Sequence, residues 1–336
     1  MNREKSAAKR FHEFLATVPE LRDPTHESTF WGPHIKAFRL HEQPSEAEEL
    51  ATIVATSEFG FREKSTLRLL FDATVARFVN FIATRLYFLS DSKSKKYEHA
   101  RALAFMQKKG LYADYLSFTQ KFDIGSSMPS VRHYWYFLTL KKFLKPEETA
   151  LLEIGSGAGN FAIFCLKELP VSTYVLIDLP QMLAYAAFQL RRFTPGVHII
   201  YPNEFRGSID TGNGKTVVML TPSQIAMLPP ASIDALFNFN SFSEMDREEI
   251  ARYLKEIYRV GKKNALTYLV NRIKAMKDMQ GVPYENNPYL FPYRADDEIF
   301  AMGLDEFHHF TRSGFNVIPA VTISRIARIN TENTGE

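Results

Sequence analysis

From Ser45 to Leu144 apolar residues recur three and four positions apart, in SEAEELATIVATSEF, STLRLLFDATVARFVNFIATRLYFL and KYEHARALAFMQKKGLYADYLSFTQKF. That period predicts amphipathic helices. Ser45, three residues before Glu48, fits a capping box, and Ser65-Thr66 reads as a second helix start. After Pro146 the pattern changes to short apolar runs separated by helical ones: ALLEI (150–154), TYVLID (173–178), VHIIY (197–201), TVVML (216–220), IDALFNF (233–239) and ALTYLV (265–270). Strands alternating with helices predict a doubly wound α/β sheet, and runs without polar alternation predict strands covered on both faces. The chain therefore divides into an α-helical N-terminal region, 1–125, and an α/β domain, 126–336. The stretch IKAMKDMQGVPYENNPYLFPYR (273–294) has three prolines and no period, and belongs to an expected insertion near 273–312 that reads as a lid or substrate loop. GFNVIPAVTISRIARIN holds two strand-like runs around Pro319, and the polar end TENTGE is expected to fray.

The length of 336 residues suits roughly two domains of ~150 residues, or one elaborated domain. With 45% hydrophobic and 24% charged residues the composition is that of a folded globular protein. Lysine and arginine exceed acids by 41 to 38, and no basic stripe interleaved with aromatics is visible, so a nucleic-acid partner is not expected. The single cysteine, Cys165, excludes an internal disulfide and a Cys-rich zinc site. The start MNREKSAAKRFHEF lacks an apolar signal core, and Phe78 to Leu89 is too short to span a bilayer and carries Arg85. A cytoplasmic protein without a membrane span is expected.

The sharpest local signal is LLEIGSGAGNFAIFCLKE, in which a strand enters Gly155-Ser156-Gly157-Ala158-Gly159 and a helix follows. Glycines suit a sharp turn that a ligand approaches closely. The spacing is GxGxG, with Asn160 where a dinucleotide fingerprint has its last glycine, so a pyrophosphate is disfavoured. Glu153, at the carboxyl end of the strand, would repel phosphates but could hold the cationic amino end of S-adenosylmethionine. Asp178, about twenty residues on at the end of the next strand, is placed to accept both ribose hydroxyls, with Leu179 following it.

Glu153-x-Gly155-x-Gly157-x-Gly159 together with Asp178 resembles motif I and the ribose-binding acid of class I S-adenosylmethionine-dependent methyltransferases. The continuation IDLPQMLAYAAFQL, VVMLTPSQI and NFNSFSEMD, followed by a YLKEIYRV helix, looks like the bacterial sugar O-methyltransferase family. The resemblance spans roughly 123–272, with weaker echoes in DIGSSMPS and in the Tyr/Pro-rich loop. It implies S-adenosyl-L-methionine as cofactor, a Rossmann-like methyltransferase domain, and methylation of a sugar hydroxyl in polysaccharide or glycoconjugate biosynthesis. A non-sugar small molecule, or a cofactor-binding scaffold without turnover, are the competing readings, and a homodimer through the helical region is an open partner. Asp-Leu-Pro also occurs in plant-type small-molecule O-methyltransferases, but their His-Asp pair after the fourth strand is replaced here by Ser241-Phe242-Ser243-Glu244-Met245-Asp246.

Methyl transfer to oxygen needs close alignment of donor and acceptor and one base. Glu244 is the first candidate base, since burial against Phe242 and Met245 would raise its pKa. Asn240 crowds the same strand end and could touch cofactor or acceptor, and the family resemblance would place His133 in SVRHYWYF over the cofactor. Cofactor contacts are assigned to Glu153, Gly155, Ser156, Gly157, Gly159, Asp178, Leu179, Ser223, Gln224 and Asn240, the pair Ser223 and Gln224 facing the adenine edge. Arg132, Tyr289, Tyr293 and Arg294 are assigned to the acceptor, the tyrosines as flat faces for a sugar ring. The adjacent His308-His309 makes a poor metal site. Asp234, Asn240 and Glu244 could offer oxygens to Mg²⁺, but no dedicated spacing supports a metal.

Overall fold

The computed structural model describes residues 10–11, 13–17, 95–209, 214–277, 283–312 and 321–330. The expected helices within 45–94 and their caps, and the first strand-like run before Pro319, lie outside these residues. Helices α1 (Lys95–Lys108), α2 (Tyr112–Lys121) and α3 (Met128–Leu140) carry the helical period into the described region. The third is started by Ser127, whose hydroxyl accepts from the Ser130 N–H while Ser130 answers the Ser127 N–H, with Pro129 in the first turn.

Ten strands and four further helices follow: β1 (Ala150–Ile154), α4 (Asn160–Glu168), β2 (Thr173–Ile177), α5 (Pro180–Phe193), β3 (His198–Ile200), β4 (Thr216–Leu220), β5 (Ile233–Phe239), α6 (Arg247–Val260), β6 (Gly261–Arg272), β7 (Lys274–Lys277), β8 (Pro283–Asn286), β9 (Glu298–Leu304), α7 (Glu306–Arg312) and β10 (Thr322–Arg328). Eight of the strands form one sheet in the order β3-β4-β2-β1-β5-β6-β10-β9. All pairings are parallel from β3 to β6, and β10 alone runs antiparallel, between β6 and β9. This is the class I methyltransferase fold, doubly wound and Rossmann-like, with β3 as an additional edge strand.

Both faces of the sheet are covered, which is why its strands read as unbroken apolar runs. Leu151, Leu176, Val217, Phe237 and Tyr268 pack under α3, α4 and α5, and the alternate residues Leu152, Ile177, Val218, Leu236 and Leu269 pack under α6. The N-terminal helices join the first face through Phe105 on Trp135 and Phe118 on Phe164, each pair 4.9 Å between ring centres. The helical residues 10–11 and 13–17 dock beside β3, where Arg10 pairs with Glu204 and Phe14 stacks on Tyr201.

The stretch expected as an insertion is more ordered than its composition suggests. Strands β7 and β8 pair as a separate antiparallel ribbon, and β9 completes the far edge of the main sheet. The prolines at 283, 288 and 292 fall at the start of β8, in a short turn and between elements, positions that need no ladder N–H. No helix among the described residues is long and apolar enough to cross a membrane.

Candidate functional site

The sheet order itself points to one place. Strand β1 connects through α4 to β2 on one side, while its other neighbour is β5, so the winding reverses between β1 and β5 and leaves a crevice above their carboxyl ends. The glycine turn lies on one flank of that crevice and the segment Asn238 to Glu244 on the other. Asn238 bridges them by donating from its side-chain amide to the Ile154 carbonyl at 2.9 Å and to the Ser241 hydroxyl.

The three glycines of the turn differ in purpose. All have positive φ, at +72°, +55° and +72°, which disfavours other residues. A Cβ on Gly155 would collide with the Ser241 side chain, and one on Gly159 would press on Ala186, but one on Gly157 would meet nothing within 4 Å. Gly155 is thus required by packing within the protein, Gly159 by its left-handed backbone, and Gly157 keeps the crevice wall low. Beside it the Ser156 hydroxyl is buried with no hydrogen-bond partner.

Asp178 closes the turn from β2. Its two oxygens accept from the Gly157 and Leu179 N–H groups, each at 2.7 Å, so one carboxylate ties the glycine turn to the start of α5. Burial lifts its pKa to about 7 against those two bonds, with Glu244 across the crevice adding to the rise. A carboxylate has further lone pairs beyond the two used here, so ribose hydroxyls can still donate to it. Leu179 joins Ala158, Met182 and Tyr185 in a small apolar cluster on this flank.

Glu153 takes a different position from the one its spacing implied. It faces the α4 side beneath the turn, fully buried, with Tyr174 donating its hydroxyl at 3.0 Å. Burial and the nearby Asp178 push its pKa well above the usual carboxylate range, more than the Tyr174 bond lowers it. A carboxyl raised in this way holds its proton more tightly than a free one, which weakens the electrostatic hold of an ammonium group that the spacing implied.

Glu244 also departs from expectation. It ends the short 3-10 turn Ser241–Glu244 and forms an ion pair with Arg272 at 2.9 Å. The guanidinium occupies one oxygen of the carboxylate, so the apolar setting expected for a base is absent. Asn240, in contrast, stands where expected: it holds a left-handed conformation (φ +71°) at the end of β5, with its side-chain nitrogen buried and unpartnered. The turn is braced from below by Asn271, which accepts from the Ser243 N–H, and by Asn286, which donates to the Phe242 and Met245 carbonyls.

Above the end of β5 lies His133 of α3. Its ring contacts Phe239, Phe161 and Tyr136, it is nine-tenths buried, and its Nδ1 has no hydrogen-bond partner. Burial, with Arg132 and His308 adding like charge, pushes its pKa well below the usual value against the Pro129 carbonyl, leaving a neutral imidazole. One turn along α3, Tyr136 stacks on Phe239 at 4.7 Å and its hydroxyl lies 3.1 Å from His308 Nδ1. Asp305 holds that same nitrogen at 2.7 Å. A buried Asp-His pair therefore exists, supplied by the start of α7 rather than by the segment after β5. Its local signal is an acid three residues before a histidine at a helix start, Asp305 and His308.

The turn after β4 starts beside Asp178, whose N–H donates to the Leu220 carbonyl, while other assigned residues lie away from the glycine turn. Gln224 accepts from the Thr221 N–H and donates to the Pro202 carbonyl, so its amide is spent on a capping box that orders the turn after β4. Ser223 is exposed beside Thr221. Arg294 donates to the Asn330 carbonyl beyond the end of β10 and lies 4.6 Å over the Tyr258 ring, at the opposite end of the sheet from the glycine turn. Tyr293 is covered by Arg325 at 4.1 Å, and Tyr289 is exposed on a turn outside α6. Asp234 caps the Thr149 and Ala150 N–H groups and pairs with Lys262 at the start of β5, a strand length away from Asn240 and Glu244. The oxygen set considered for Mg²⁺ is not assembled.

No family model matches the chain, and no curated protein matches it. Among solved structures it is similar to an S-adenosylmethionine-dependent methyltransferase from Methanosarcina mazei, at 17% identity over 58% of this chain and 98% of that one, with a TM-score of 0.40. One from Aquifex aeolicus gives 18% identity over 57% and 88%, with a TM-score of 0.37. The phosphoethanolamine N-methyltransferase 2 of Haemonchus contortus, in complex with S-adenosyl-L-methionine, gives 17% over 43% and 30%, with a TM-score of 0.30. Such low scores add no weight, and the fold stands on the strand order and register of this chain.

Proposed function

We propose that the chain is an S-adenosylmethionine-dependent O-methyltransferase that methylates a sugar hydroxyl. The observation that carries the reading is the crevice at the β1/β5 reversal, where Asp178 is tied to the backbone of a glycine turn whose middle glycine leaves open space. The buried Ser156 hydroxyl and Asn240 amide, both without partners, supply donors on either flank of a polar ligand. S-adenosylmethionine, when bound, supplies an electrophilic methyl group on sulfur. Asp178 accepts the ribose hydroxyls, and Ser156 and Asn240 hold polar atoms of the methionine portion. His133, neutral and walled by aromatic rings, takes the proton of the acceptor hydroxyl on a ring nitrogen, in an environment that excludes water. Glu244, paired with Arg272 beside the crevice, orients rather than deprotonates. The sugar acceptor rests on the resemblance of 123–272 to the sugar O-methyltransferase family.

Isothermal titration with S-adenosylmethionine, S-adenosylhomocysteine and NADH tests the cofactor. Micromolar binding of the first two alone supports it, and binding of NADH or of nothing ends it. Acceptor profiling tests the second half, since a sugar enzyme should ignore free phenols and amines.

A further inference from the structure

Resting on the reading above, we propose that the acceptor carries an anionic group, a carboxylate or a phosphate, and that Arg132 binds it. Arg132, Tyr136 and Thr139 share one stripe of α3, at positions i, i+4 and i+7. Tyr136 fixes where that stripe faces: it meets His308, stacks on Phe239 of β5 and stands edge-on to Tyr268 of β6. Arg132 continues the stripe one turn nearer the carboxyl edge of the sheet, next to His133. It thus stands over the ends of β5 and β6, on the acceptor side of the base.

The carboxylates described at this edge are already engaged. Glu244 is taken by Arg272, Asp305 by His308, Asp178 by two backbone N–H groups and Glu153 by Tyr174. Among the described residues no carboxylate pairs with Arg132, and its Nε is buried with no hydrogen-bond partner. A half-buried guanidinium is costly to leave so, and its planar fork fits a carboxylate or a phosphate with two parallel hydrogen bonds. An anion there lies beside a neutral imidazole, so it does not compete with a charged base for its place.

The test is titration of the full chain, with and without saturating S-adenosylhomocysteine, using glucuronate, glucose 1-phosphate and glucose as probes. Wild type is expected to bind at least one of the two anions ten-fold or more better than glucose, and which one separates a carboxylate from a phosphate acceptor. Arg132→Met is expected to lose that preference by roughly 10- to 100-fold, the scale of hydrogen bonds to a charged group, while Arg132→Lys retains part of it. Equal binding of all three probes, binding of none, or a preference that survives Arg132→Met overturns the proposal. Loss of S-adenosylhomocysteine binding in wild type is a separate outcome: it sinks the cofactor reading and leaves the anion result standing on its own.

Discussion

The two flanks of the crevice are built on different principles. The cofactor flank, from β1 through Asp178, is made of consecutive chain: turn, strand end and helix start, bound mainly by backbone N–H groups. The flank proposed for the acceptor is assembled from α3, β5, β6 and α7, whose members Arg132, Asn240, Asn271 and His308 are far apart in sequence and meet only through packing. Local geometry makes the first flank tolerant of changes elsewhere. The second depends on helices keeping their seats.

The largest expected effect falls on Gly157. Gly157→Arg should abolish S-adenosylhomocysteine binding, at least 100-fold by calorimetry, with little loss of melting temperature, because a side chain there enters open space while the positive φ costs only about 1 kcal/mol. Gly155→Ala should do the reverse and lower the melting temperature first, since its Cβ collides with Ser241. If both variants fail in the same way, the distinction between the packing glycine and the ligand-facing one is wrong.

Next comes the base. His133→Asn should reduce kcat by roughly 10²- to 10⁴-fold, the range of general base catalysis, and leave S-adenosylhomocysteine affinity within about two-fold. Glu244→Gln should cost much less, a few-fold. A larger loss from Glu244→Gln than from His133→Asn, measured as single-turnover rates, would return the role of base to the carboxylate.

A smaller effect concerns pH. Asp178 has a folded pKa of about 7, well above the ordinary aspartate range. In the free protein its protonated form is favoured by folding, so this group's contribution to stability is full below about pH 4 and is lost as pH rises through 7. Ribose hydroxyls donate to the ionised form, so S-adenosylhomocysteine affinity should rise between pH 6 and 8, and Asp178→Asn should be weak and flat across that range. A wild-type affinity that falls with pH contradicts this role. The mildest change is Tyr174→Phe, which removes one buried bond to Glu153 and should cost about 1–3 kcal/mol in denaturant unfolding without altering cofactor affinity.

Most of the fold was legible because strand and helix periods are local properties. ALLEI, TVVML and IDALFNF match β1, β4 and β5 residue for residue. Strand β9 escaped because EIFAMGL is exposed along most of its length at the sheet edge and shows neither an alternating nor a fully buried pattern. The site was legible on the same terms. The glycines and Asp178 carry their meaning in spacing along one unit, whereas Tyr293 and Arg294 were assigned by composition, and aromatics in a proline-rich loop carry no information about which end of the sheet they reach.

By itself the sequence determined the order of the elements, the burial of the central strands on both faces and the turn that must bend at Gly155 to Gly159, because each follows from steric and hydrophobic rules acting over a few residues. Only the tertiary structure decided the electrostatic surroundings of the titratable groups. Burial under α4 raises the pKa of Glu153, Glu244 meets an arginine that approaches from β6, and burial among aromatic rings from two other elements lowers the pKa of His133. Protonation depends on solvent exclusion and on charges within a few ångströms, and both are set by what packs across the fold rather than by what lies next along the chain.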